Sequence, residues 1–413
     1  MRLFGWWHAA GPPARRAFVA AAFGWMLDAF DVMIYAMVVA ALVEDPVLHL
    51  TLPTAGILNS AMLLSAAAGG VMFGLFADRF GRKRALMASV LLYSVFTAAC
   101  GFAQTVLQLA VFRVGVGIGM GGEWASGAAL VSESFPAEHR GKALGFMQSA
   151  WAIGYGLAAL VNLVVLPLWG WRGVFLVGVA PALFTLWIRR RVEEPDIWKT
   201  RAATRGPAAP APTFGSLFRA PLGHLTLALT LMNACTLFGW WGLNSWVPAY
   251  LRLSPVKGGI GLSSSTMSLF VIAMQAGMWF GYVTFGFVSD AIGRRPTYVA
   301  YVLAASVLLP LYGVVKSPAI LLALGPFVAF FGTGYFSGFG ALTAEIYPTA
   351  IRATAQGFTY NVGRIASAAA PFAIGSLADR HGFGAAFTLT GVAFLLAATA
   401  WIWIPETRGA ELR

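Results

Sequence analysis

The chain has 413 residues, 59% of them hydrophobic and only 11% charged, against roughly 25% charged in a soluble domain. So little polar surface excludes a soluble globular protein and makes lipid the consistent solvent. The formal net charge of +12 would suit a nucleic-acid binder, but the basic residues form short clusters between apolar runs, as membrane topology signals do, and no nucleic-acid role is expected.

Residues 1–16 read as a membrane-surface segment, with Phe4, Trp6 and Trp7 beside Arg2, Arg15 and Arg16. The apolar run that follows contains Asp28 and Asp31 and lacks a small-x-small cleavage site. It is also long enough to span, so it reads as a retained first helix. Apolar spans of about 20 residues or more fall near 17–43, 54–77, 85–104, 106–131, 142–168 and 172–189, then near 224–250, 263–288, 297–315, 318–344, 354–378 and 383–404. The expectation is an all-α membrane protein of twelve helices. A six-helix half over 17–189 and another over 223–404 are joined by a linker at 190–222, with a tail at 405–413. The linker runs from Arg189-Arg190-Arg191 through Glu193-Glu194-Pro195 to an Ala/Pro-rich stretch at 206–212, without apolar periodicity.

Of the 28 Lys and Arg, 21 fall on the side of the termini and of alternate loops. Five (Arg172, Arg252, Lys257, Lys316 and Arg380) fall on the other side, and Arg113 and Arg364 lie within spans. Both termini are therefore expected in the cytoplasm. Cys100 and Cys235 lie inside spans, and the five histidines are scattered, so neither a disulfide nor a metal site is suggested.

One charged loop recurs. Gly74-x3-Asp78-Arg79-x-Gly81-Arg82-Lys83-Arg84 is repeated by Gly286-x3-Asp290-x2-Gly293-Arg294-Arg295 at a constant shift of 212. The same shift relates Glu133-x2-Pro136 to Glu345-x2-Pro348, Arg140 to Arg352, Gly170 to Gly382 and Phe175 to Phe387. One register held across several spans without a gap indicates a duplicated six-helix unit. Asp78 is suited to cap a helix N-terminus, and the Arg/Lys cluster to pair with an acid such as Glu133. Asp78, Arg79, Arg82, Glu133, Arg140, Asp290, Arg294, Glu345 and Arg352 are thus candidates for a gating latch. A topology signal alone is the alternative reading of these charges.

The fourth span holds Gly117, Gly119 and Gly122 in a spacing that imitates a dinucleotide-binding loop. No strand precedes it, so close helix packing is the better reading. The ionisable residues within spans carry more information, since each costs roughly 3 kcal/mol at mid-bilayer unless paired or hydrated. Asp28, Asp31, Glu123, Arg113 and Arg364 all reckon to depths around the midplane. Asp28 and Asp31 share one face of a helix. Burial disfavours an ionised carboxylate and a nearby arginine favours it, so an acid exchanged between such surroundings takes up and releases a proton. Asp28, Asp31 and Glu123, with Arg113, are the candidate proton-coupling residues. Arg364 keeps its charge and offers a fork of donors matched to a carboxylate. Tyr360, Asn361, Tyr35, Gln148, Tyr155, Asn244, Gln275 and Tyr335 are further candidates for a substrate cavity, though each alone could be packing.

The two Gly-x3-Asp-x2-Gly-Arg loops and the two Glu-x2-Pro-x3-Arg loops resemble those of the major facilitator superfamily. Gly24-Trp25-Met26-Leu27-Asp28-Ala29-Phe30-Asp31 is similar to the first helix of acid:proton symporters of the sialate/lactate and aromatic-acid groups. Gly121-Gly122-Glu123-Trp124 is similar to metabolite:proton symporters. Tyr360-Asn361-Val362-Gly363-Arg364 resembles the eleventh helix of organic-anion carriers, whose arginine there is linked to anionic substrates. Pro405-Glu406-Thr407 is similar to the ending of sugar porters. What this implies is a secondary active transporter, monomeric in the lipid of a bacterial inner membrane. It would import a small organic carboxylate with a proton by alternating access and use no cofactor. A proton-driven exporter of amphiphilic or anionic compounds is the alternative. A sugar uniporter would not need five buried charges, and no nucleophile–base pair suggests an enzyme. A non-transporting sensor would bind ligand without flux.

Overall fold

The computed structural model of the protein describes residue 7 and residues 10–135, 137–191, 214–219, 222–348 and 351–408. Most of the expected linker, the first residues of the N-terminal segment and the end of the tail lie outside these. Among the described residues every regular element is helical: α1 (Pro12–Glu44), α2 (Leu52–Phe80), α3 (Arg82–Cys100), α4 (Val106–Ser134), α5 (Ala137–Val177) and α6 (Ala180–Arg191). These are followed by α7 (Leu222–Arg252), α8 (Ser264–Ile292), α9 (Arg294–Val314), α10 (Pro318–Thr333), α11 (Phe339–Ile346), α12 (Arg352–Ser367) and α13 (Ala370–Ala400).

The helix ends follow from local chemistry. Pro12 and Pro13 open α1, where a missing amide hydrogen leaves no bond unmade. Thr105 caps α4 by accepting from the Gln108 amide, and Ser263 caps α8 by accepting from Thr266. Two apolar runs, 143–188 and 355–400, are each 46 residues long. As one helix each would measure about 69 Å, more than twice the roughly 30 Å hydrocarbon core. Each breaks at a glycine: Gly170 has φ 64° and ψ −174°, Gly382 φ 80° and ψ 168°. Side chains other than hydrogen are strained in that region. Ten apolar helical stretches thus supply twelve spans.

The duplication is visible in the backbone. Gly81 (φ 109°) and Gly293 (φ 112°) form a second pair of positive-φ glycines, again separated by the shift that relates Gly170 to Gly382. The tenth span departs from expectation. Instead of running unbroken over 318–344, α10 stops at Thr333, and a 3-10 turn at Gly334–Gly338 leads into α11. At this turn the chain lies close to α8: a Cβ on Gly334 would be 2.7 Å from the Gly281 carbonyl oxygen. The tight turn also brings the Tyr335 hydroxyl to donate to the Thr236 carbonyl at 3.1 Å.

The chain forms two compact units, one of residues 1–49 and 61–208, the other of residues 50–60 and 209–413. In the first, α1 packs on α5 and α4, and α3 on α4. Glycines set the spacing: a Cβ on Gly154 of α5 would come within 1.9 Å of the Met26 carbonyl of α1. In the second, α13 packs on α9 and α7, α12 on α7, and α8 on α10. The first turns of α2 belong to this unit, where Asn59 donates to Ser245 at 2.9 Å. Each unit presents exposed apolar side chains, such as Val71, Leu75, Leu168 and Leu183 in the first and Val307 and Phe327 in the second. These are ordinary where the solvent is lipid.

Candidate functional site

In the first unit, three helices bring their polar residues to one place. α1 carries Gly24, Asp28, Asp31 and Tyr35 at spacings of four, three and four residues, which keeps them along one face. α4 reaches this face at Glu123. A Cβ on Gly24 would lie 2.6 Å from Glu123 Oε1, so the carboxylate rests directly on the bare backbone of α1, one turn before Asp28. Asp28 and Glu123 are electrostatic neighbours, as are Asp28 and Asp31. All three carboxylates have no exposed surface.

α3 closes the node with hydroxyls. Ser94 and Thr97 face Asp31, though among the described residues neither they nor Asp31 close a hydrogen bond. Higher on the same face, the Arg113 guanidinium lies 4.2 Å from the centre of the Tyr35 ring, a cation–π stack. Its electrostatic neighbours are Cys100 and Tyr35. Arg113, a candidate for the proton path, thus lies on Tyr35, one turn beyond Asp31. Tyr155 is buried beside these helices in α5, and Gln148 is half-buried on the same helix.

The second unit holds the other candidates. Arg364 lies near the end of α12, 5% exposed, with Tyr360 one turn before it as an electrostatic neighbour. Gly363 packs α12 against α7, where its Cβ would lie 2.9 Å from Asn233 Cβ. Asn233 was not singled out in the sequence, yet its Oδ1 is buried without a hydrogen-bond partner among the described residues. Asn361 and Asn244 each donate to a carbonyl of their own helix, those of Gly357 and Trp240 respectively, both at 2.9 Å. Tyr335 spends its hydroxyl on Thr236. Gln275 is buried in α8 with no partner for its Oε1 among the described residues. An aromatic group stands near the 3-10 turn: Trp240 meets Phe336 edge-on at 5.9 Å and Tyr335 stacks on Phe336 at 5.1 Å.

The latch candidates are described in the second unit. Arg294 pairs with Asp290 and with Glu345, the latter at 3.0 Å, and also donates to Ser289 at 2.8 Å. The sequence did not predict the part played by Glu406. Its carboxylate accepts the backbone amides of Arg294 at 2.8 Å, Arg295 at 3.0 Å, Thr407 at 3.0 Å and Arg408 at 2.9 Å, capping the start of α9. Thr407 donates to Glu345 at 2.5 Å, so the tail ties α9 to α11. Burial alone would raise the Glu406 carboxyl, but these amides outweigh it and hold it below the usual carboxylate range. In the first unit, Arg79 stacks on Phe80. The side chains of Asp78, Arg82, Glu133, Arg140 and, in the second unit, Arg352 lie outside the described residues.

At the opposite end of the first unit, Asp45 accepts the Trp171 indole at 2.8 Å and the amides of Val47 and Leu48. Burial pushes its carboxyl up, yet these donors and Arg172 hold it below the usual range. This staple fixes the sixth span next to the Gly170 break. Among the described residues no group of three or more His, Cys, Asp or Glu is placed to hold a metal.

Comparison with known proteins places this arrangement. The family model of the Major Facilitator Superfamily matches residues 21–259 and 253–413. A protein of Cupriavidus pinatubonensis named "Probable 4-methylmuconolactone transporter" is 34% identical, over 99% of this chain and 95% of its own length. The sialic acid transporter NanX of Escherichia coli is 30% identical, over 94% of this chain and 93% of its own. The xylose transporter XylE from E. coli, in a partially occluded inward-open conformation, shares the fold with a TM-score of 0.77 at 20% identity, covering 97% of this chain and 100% of that one.

Proposed function

Because the chain belongs to the major facilitator superfamily, we propose that it imports a small organic carboxylate together with a proton by alternating access. It is a multi-pass inner-membrane transport protein rather than an enzyme. The cargo reading draws on relatives named for muconolactone and sialic acid, both organic acids. The observation that carries it is Arg364, a permanent cation 5% exposed within a membrane span and set beside Tyr360. A buried guanidinium of this kind calls for an anion with two oxygens.

On this reading Arg364 anchors the substrate carboxylate, with Tyr360 and Asn361 beside it. Asp28, Asp31 and Glu123 carry the proton, and Arg113 sets the field above them. The working form is a monomer. Replacing Arg364 by Gln keeps most of the side chain's size and removes its charge. The expected result is a loss of apparent affinity for carboxylates of about a hundredfold or more, read as KM in proteoliposome uptake of labelled organic acids. An unchanged KM would overturn the assignment of Arg364.

A further inference from the structure

Tyr93 stands at the centre of the acidic node. It lies midway along α3 with no exposed surface, and its hydroxyl has no hydrogen-bond partner among the described residues. A buried phenol ordinarily finds a partner. The backbone seats the base of this side chain against α4. A Cβ on Gly119 of α4 would lie 2.6 Å from the Tyr93 nitrogen and 2.8 Å from its Cβ, and Ser89 of α3 donates to the Gly119 carbonyl at 2.8 Å. Helices α3 and α4 therefore touch at Tyr93. Glu123 lies one turn beyond Gly119 on the same face of α4. Through Gly24, Glu123 in turn meets α1 one turn before Asp28. The electrostatic neighbours of the Tyr93 hydroxyl are the carboxylates of Asp28 and Asp31 from α1 and of Glu123 from α4. Ser94 and Thr97 extend the same polar stripe along α3 toward Asp31.

We propose that Tyr93 is the shared donor of this node: its hydroxyl turns toward whichever of Asp28, Asp31 and Glu123 is ionised and holds that charge in place. The inference rests on the reading that these acids carry the coupling proton. No net proton leaves the phenol. The hydroxyl is bonded to none of them in this structure; small movements of the side chain and of the acids bring it to one carboxylate at a time, so the charge can be held on a different carboxylate without water entering the node. Tyr93 acts through the acids and is a positioning residue. The other groups facing the node are Cys100, Tyr35 and Arg113, which lie further along the same helices.

The test is Tyr93→Phe, which keeps the ring and removes only the hydroxyl. A donor to a charged group is worth enough to move a titration by about one to two pH units. Proton-driven uptake in proteoliposomes should therefore reach its half-maximal rate at a pH about one to two units higher than in the wild type. Substrate exchange without a proton gradient should keep its rate and KM. Placing 3,5-difluorotyrosine at 93, a stronger donor of nearly the same shape, should move the midpoint the opposite way. This second variant serves if Tyr93→Phe does not fold. Unmoved midpoints in a folded variant overturn the role of Tyr93. Asp28→Asn, measured alongside, separates the two ideas: if it leaves proton coupling intact, the reading of the acids fails, whatever Tyr93 does.

Discussion

Gly24 offers the sharpest test of how the acidic node is built. Gly24→Ala places a methyl group 2.6 Å from Glu123 Oε1, where ordinary contact begins at about 3.4 Å, so the carboxylate must retreat by about 0.8 Å. The next contact, with Leu86, is 3.5 Å away and already comfortable. The obstruction is the tip of a flexible side chain, so helices α1 and α4 need not separate. Alanine also gains about 1 kcal/mol of helix propensity over glycine. The melting temperature should therefore change little, by the equivalent of about 1 kcal/mol in either direction. Transport should not be spared. Glu123 makes no hydrogen bond among the described residues, so the effect comes from moving its carboxylate relative to Asp28, its electrostatic neighbour, in a buried setting where such interactions are strong. The midpoint of proton-driven uptake should move by about one pH unit, equivalent to about 1.4 kcal/mol between the two protonation states. The assay is uptake into proteoliposomes across pH 5 to 8, with thermal melting of the same preparation in detergent. An unshifted midpoint with unchanged stability would refute the placement of Glu123 on Gly24. A loss of stability beyond about 3 kcal/mol would show the contact to be rigid and the argument from flexibility wrong.

Gly154→Ala is the contrasting case. Its methyl would lie 1.9 Å from a backbone carbonyl of α1, which cannot swing aside, so α1 and α5 must part at a cost of about 3 kcal/mol; a variant melting like the wild type would contradict this packing. Glu406→Ala removes the acceptor of four amides, two of them at the start of α9, and should cost about 1–2 kcal/mol near neutral pH. Because the folded carboxyl is held low, its contribution is present above the unfolded value of about 4.3 and lost as pH falls through the lower folded value. The melting difference between variant and wild type should therefore shrink toward zero as pH falls from 6 to 3, and a constant difference would contradict the capping role.

The duplication and the twelve spans were legible because they rest on long apolar runs and on motifs repeated at one shift. The same shift recurs in the backbone as two pairs of positive-φ glycines, Gly81 with Gly293 and Gly170 with Gly382. The interrupted tenth span was not legible, since the run over 318–344 carries no charge or proline at the break and the turn there lies against Gly281 on another helix. Asp28, Asp31, Glu123 and Arg364 stood out as charges in apolar spans. Tyr93 did not, because a phenol in an apolar run looks like packing until Asp28 and Glu123 are seen around it. Ser89, Tyr93, Thr97 and Cys100 recur at intervals of four or three along α3, and that stripe was the available signal. Glu406 was visible in the tail motif, but the amides it caps lie more than 100 residues earlier. Asn361, Asn244 and Tyr335 each direct one donor to a backbone carbonyl, a local bond that the sequence did not show.

The central claim is the coupled import of a proton and a carboxylate. Its most direct test uses proteoliposomes loaded with a pH-sensitive dye and challenged with a panel of hydrophilic carboxylates, neutral sugars and cationic dyes, beside protein-free liposomes. Protein-dependent acidification of the lumen with one class of carboxylate, absent with sugars, is the predicted result. If no acid moves protons and a preloaded amphiphile instead leaves under an imposed proton gradient, the import reading is wrong and the protein is an exporter.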